Sequence, residues 1–126
     1  MKNIKIRSIV LDCDDIDVLS DFYSTFLDWE KVMVNQEFIA VGSLEEKPLL
    51  LFQKTPNYKR PVWPSEPECQ QQMVHIDFEV DDLKTEIDHA ISCGAKLASE
   101  QFNEHWRVML DPAGHPFCLN QRKINE

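Results

Sequence analysis

Three ionisable side chains recur at alternate positions in the stretch QQQMVHIDFEVDD, residues 70–82: His75, Asp77 and Glu79. Alternation places them on one face of a strand. Three such groups are more than an ordinary core holds. An imidazole that titrates near neutrality beside carboxylates could move a proton, hold a cationic group or ligate a metal. Cys118 adds a thiol, which could bind zinc or sit as a small buried hydrophobe. Asp77 and Glu79 lie about 7 and 13 Å along the strand from His75. Asp77 or Glu79 could add an oxygen to such a site, but these separations count against both, and at about 13 Å His75 and Glu79 do not share an ion. Arg107 is the one Lys or Arg in the last two expected strands; it could anchor an anionic substrate group or pair with one of these acids. Each reading has a plain rival. His75 could be a hydrogen-bonded interior histidine, and Glu79 could lie on a solvated face or pair with Arg7 or Arg107.

The elements that must carry these groups come from a repeat. SIVLDCDDID (8–17) aligns with HIDFEVDDLK (75–84) at an offset of 67 residues, so that Ser8 falls on His75 and Asp14-Asp15 on Asp81-Asp82. Both acidic pairs precede helical patterns. They read as N-caps, because carboxylates satisfy the free N–H groups of a first turn. Each half predicts a strand (4–12; 73–80), a helix and three short strands (29–34, 37–42, 49–54; 95–102, 105–111, 116–121). Gly94 stands where a helix end requires positive φ, and DPAGHP (111–116) marks a turn. The fold expected is α+β: one domain over 1–126 of two tandem βαβββ modules, about 1–55 and 73–122. Residues 56–72, with four of the seven prolines, form an irregular connection. The two modules would form a curled mixed sheet around a cup, helices outside. The apolar set Ile76, Phe78 and Val80 would meet the helix, and His75, Asp77 and Glu79 would face the cup. Ser8 would face it too, Trp63 could lie over the cup or at a subunit contact, and Tyr58 and Trp106 are further aromatic candidates.

Composition narrows the partners. A net charge of −9, from 22 acids and 13 bases, repels phosphate backbones and argues against nucleic acid. It suits a cationic small ligand. No run is long enough for a membrane span. The opening MKNIKIRSIV has strand alternation rather than a signal-peptide pattern, and the four cysteines form no CxxC pair. Reduced thiols in a cytoplasm are the expectation.

The repeated βαβββ order, with DDIDVLSDFYSTFLDW (14–29), VHIDFEVDDL (74–83) and DPAGHPFCL (111–119), resembles the vicinal-oxygen-chelate superfamily of glyoxalase I, bleomycin-resistance proteins, fosfomycin-resistance enzymes and extradiol dioxygenases. PVWP and FQK resemble its branch of glyoxalase-like proteins. The resemblance implies a divalent metal held by the first and last strands of each half. Carried over, the first-strand position is Ser8, the fourth-strand position is Phe52 or Gln53, the fifth-strand position is His75 and the last is Cys118. Only His75 matches the family's ligand type. It is therefore the candidate catalytic residue and the candidate metal ligand, while the incomplete set points towards no bound metal. Ser8, Gln53, Trp63, Asp77, Glu79, Arg107 and Cys118 are the candidate ligand-binding residues. The expected function is glyoxalase-like: binding a small molecule in the cup, with lyase or isomerase activity, or sequestering a ligand without catalysis in the bleomycin-resistance manner. The sequence does not choose between enzyme and binder. The resemblance also implies a homodimer.

Overall fold

The computed structural model describes residues 2–123. They form an α+β fold of two βαβββ modules, as the repeat predicts. The chain divides between Tyr58 and Lys59 into two compact units. In the first unit, β1 (Ser8–Cys13), β2 (Lys31–Val34), β3 (Phe38–Val41) and β4 (Leu49–Lys54) make a sheet in the order β1-β4-β3-β2. Helix α1 spans Ile16–Leu27. In the second, β5 (Ile76–Val80), β6 (Lys96–Leu97), β7 (Trp106–Leu110) and β8 (Pro116–Gln121) are ordered β5-β8-β7-β6, with α2 over Leu83–Cys93. In each unit the first strand runs parallel to the last. No helix among the described residues is long and apolar enough to cross a membrane.

The acidic pairs do cap the helices. Asp15 accepts hydrogen bonds from the N–H groups of Asp17 and Val18, and Asp82 from that of Thr85. A cap of this kind stabilises a helix by about 1 kcal/mol. Gly94 ends α2 at φ 123°, a backbone region that side chains with a Cβ rarely enter. Alternation then sorts each sheet into two faces. In the first unit, Phe52 is fully buried and stacks on Tyr23 of α1, with ring centroids 5.3 Å apart. Burying a ring of that size contributes about 2–3 kcal/mol. In the second unit, Phe117 and Leu119 are fully buried, and Phe117 meets Phe78 edge-on. Gln121, on that same face, receives the N–H of Leu83 at the start of α2. The apolar faces meet the helices, as the alternation argued.

Three strands fall short of their expected spans by three residues or more. β1 and β5 begin at Ser8 and Ile76 rather than near residues 4 and 73. Each can pair only where its parallel partner runs, and those partners begin beside Pro48 and at Pro116, where proline offers no N–H to extend a ladder. β6 covers only Lys96–Leu97 instead of 95–102. Beyond Ala98 a side chain replaces the strand. The Gln101 amide donates to the carbonyls of Ala98 and Val108 and accepts from the N–H of Val108. Gln101→Ala should therefore cost about 1–3 kcal/mol by stranding these backbone groups, read as a lower urea midpoint. An unchanged midpoint would mean the edge closes without the amide.

Candidate functional site

The opposite, helix-free face of the second sheet carries the chemistry. The ladder sets Asp77 beside Cys118, and Cys118 beside Val108. His75 stands just before β5, on the same side as Asp77. Its Nε2 lies 3.3 Å from Asp77 Oδ1. The backbone spacing along an extended strand separates these two residues by about 7 Å, yet their side chains close that gap. The donor atoms of His75, Asp77 and Cys118 all lie within 4.8 Å of one another. Asp77 and His75 are exposed, while Cys118 is buried.

Burial pushes the Cys118 thiol up to about 12, and the charge of Asp77 and its hydrogen bond with the thiol add to the effect. Charge separation into a poorly hydrated setting beside an anion is unfavourable, so the thiol holds its proton at neutral pH. Cys118 is thus no free nucleophile. It sits in an apolar cluster with Ala98 and Val108, against which Trp63, Trp106 and Leu110 pack.

Aromatic rings form a ledge beside this cluster. Trp106 neighbours Phe102 at 6.2 Å between centroids, Phe102 meets Trp63 edge-on at 6.3 Å, and Trp63 lies 6.4 Å from the His75 ring. Trp63 is half-buried, and Phe102 is 56% exposed. An isolated bridge between Val62 and Gln71 fixes the segment that carries Trp63. Its indole Nε1 and, separately, Gln72 Oε1 are buried without hydrogen-bond partners among the described residues. Phe102 is absent from the sequence candidates because the strand expected over 95–102 would absorb it, whereas β6 ends at Leu97. Its only signal was an aromatic beside the polar triplet Asn103-Glu104-His105.

The remaining candidates separate. Glu79 shares the face of Asp77 but is bonded to Arg122 at 2.9 Å, which takes the place expected for Arg7 or Arg107. Arg107 pairs in register with Leu119, so it lies on the face opposite Asp77 and Cys118, and its guanidinium bonds to the carbonyls of Asn103 and Trp106. In the first unit, the register resolves the fourth strand. Phe52 faces α1, while Gln53 is exposed on the other face, opposite Asp12. Ser8 shares that face, opposite Leu49. The repeat offset maps His75, Asp77 and Cys118 onto Ser8, Val10 and Leu51, of which neither Val10 nor Leu51 can ligate an ion. His105 lies near Glu104 on the surface, and His115 is bonded to buried Asp111 in the turn.

Residues 8–120 match the family model described as a glyoxalase-like domain. The chain belongs to the glyoxalase-like domain family. This places it in the vicinal-oxygen-chelate superfamily. Solved structures share the glyoxalase-like fold. One is a glyoxalase/bleomycin resistance protein/dioxygenase family enzyme from Burkholderia phytofirmans, at TM-score 0.70 and 17% identity, covering 94% of this chain and 98% of that one. An antibiotic-binding protein from Streptomyces aligns at TM-score 0.65 and 14% identity, over 98% and 99% of the two chains. A lactoylglutathione lyase from Agrobacterium tumefaciens aligns at 0.63 and 15%, over 96% of each. No curated protein sequence matches the chain. At these identities the structural likeness speaks for the fold alone.

The donor set fits a divalent ion of borderline softness. A tetrahedral zinc with bonds of about 2.0–2.3 Å holds its donors roughly 3.3–3.8 Å apart. His75 and Asp77 already stand at 3.3 Å. The widest separation needs closure of about 1 Å, within reach of exposed side-chain rotation. The cost is the thiol proton, which an ion must displace.

Proposed function

We propose that this glyoxalase-like protein binds a small planar cation on the helix-free face of its second sheet. The observation that carries the reading is the aromatic ledge of Trp106, Phe102 and Trp63 running up to His75 and Asp77. Ring faces offer stacking area, and a neighbouring carboxylate rewards positive charge. The net charge of −9 would steer such ligands towards the protein. A structurally similar protein described as antibiotic-binding is in keeping with a sequestering role. The reading takes the protein as a cytoplasmic homodimer.

The test pairs a planar cationic dye with a neutral isostere in fluorescence titrations, with light scattering on the same samples to read the dimer mass. Phe102→Ala should weaken binding of both dyes about 3- to 10-fold, the loss of one stacking contact. Asp77→Asn should weaken only the cation. Equal affinity for cation and isostere, or no effect of Phe102→Ala, overturns the proposal.

A second reading, lyase or isomerase chemistry, is favoured by the three donor atoms within 4.8 Å. An ion held by His75, Asp77 and Cys118 would supply Lewis-acid polarisation of a carbonyl oxygen. The ledge would orient the substrate, and Asp77, through the carboxylate oxygen not on the ion, would be the group available to hold or pass a proton.

A further inference from the structure

We infer that Asp77 is the carboxylate arm of a metal centre assembled wholly within the second module, with His75 and Cys118 as its other ligands. The inference rests on the metal-dependent second reading and is independent of dye binding. The family resemblance distributes ligands over both halves and takes a carboxylate from the last strand. Here that strand supplies a thiol, Cys118. The carboxylate stands one rung across the ladder, because the parallel register of β5 and β8 pairs Asp77 with Cys118 directly. Their donor atoms lie within 4.8 Å of each other, so they already converge on one point. His75, two residues before Asp77, closes the triangle at 3.3 Å.

The first module contributes no equivalent. Its matching positions are Ser8, Val10 and Leu51. The donor types also select the ion. One imidazole nitrogen, one carboxylate oxygen and one sulfur suit zinc, or cobalt as its spectroscopic substitute. They do not suit magnesium or calcium, which take oxygen ligands. Asp77 and His75 side chains are 61% and 38% exposed, so a fourth position opens towards solvent, where a substrate oxygen could bind. A second thiol–imidazole pair, Cys93 and His89 on α2, has its atoms 3.9–4.0 Å apart but brings no third donor among the described residues.

Untagged, chelator-stripped protein titrated with cobalt, zinc and magnesium tests this. The readouts are ion content per chain and the near-ultraviolet sulfur-to-cobalt charge-transfer absorption. We expect one cobalt or zinc per chain, no magnesium, and a charge-transfer band that Cys118→Ser abolishes. Asp77→Asn should weaken cobalt binding roughly tenfold or more, with unchanged circular dichroism, and His89→Ala should leave it as in the parent. Asp77 is exposed, so its variant stays interpretable even if Cys118→Ser folds poorly. Stoichiometric cobalt with the band intact and full affinity in Asp77→Asn overturns the inference while sparing a metal site of another ligand set. Loss of binding in His89→Ala moves the ion to α2 and also overturns it. No ion bound at all removes both this inference and the reading beneath it.

Discussion

Asp111→Ala will destabilise the protein by about 3–5 kcal/mol, the range for breaking a buried charged hydrogen-bond network. The Asp111 side chain is fully buried and accepts from the N–H groups of Ala113 and His115 and from the His115 ring. One carboxylate thus organises the whole DPAGHP turn between β7 and β8. Arg60 closes the turn from above, donating to the Pro112 carbonyl at 2.7 Å and packing where a Cβ on Gly114 would stand. Alanine leaves the two N–H groups and the imidazole without their acceptor. The turn also fixes the rung that sets Cys118 between Asp77 and Val108. Denaturant unfolding measures the effect, and Asp111→Asn should recover part of it by retaining one acceptor oxygen. A midpoint in Asp111→Ala equal to the parent would show that the turn does not depend on this carboxylate.

Metal-free protein will lose stability as pH rises above 9, and Cys118 will account for the loss. A thiol in the unfolded chain releases its proton near the ordinary value of 9.0, whereas the folded site holds Cys118 up to about 12. Below pH 9 both states keep the proton and the contribution is fully present. Between 9 and 12 the unfolded state binds fewer protons than the folded one, so unfolding is favoured by about 1.4 kcal/mol per pH unit, or roughly 4 kcal/mol over the window. Cys118→Ala should remove that slope, and other titrating groups cancel in the difference between the two proteins. Asp77→Asn should narrow the window, since the charge of Asp77 is the second cause of the shift after burial. Parallel stability curves for parent and Cys118→Ala from pH 7 to 11 would contradict this account of the site.

Much of the fold was legible because it is written in local terms. The 67-residue repeat, the two acidic pairs before the helices and the glycine after α2 each act over a few residues, where capping and backbone sterics operate. β4 and β8 match their expected spans because both are bounded by turn residues and carry dense apolar runs. β6 did not match, because a glutamine side chain completes its edge and no periodicity encodes that substitution.

The site was only half legible, for a related reason. Alternation alone put His75, Asp77 and Glu79 on one face and Ile76, Phe78 and Val80 on the other. It could not say which residue of β8 stands opposite Asp77, because register is a property of two strands and of the turns that join them. That register brings a thiol to a carboxylate, gives Glu79 to Arg122 instead, and turns Arg107 to the opposite face. It likewise chooses Gln53 over Phe52 for the open face of the first sheet. Phe102 joins the ledge only through ring contacts with residues 39 positions before it and 4 after it. Nearest-neighbour chemistry along the chain specifies the modules, their helices and which ionisable side chains are on offer. Which of those side chains meet was decided by tertiary structure, because pairing across strands joins residues that the chain holds about 40 apart.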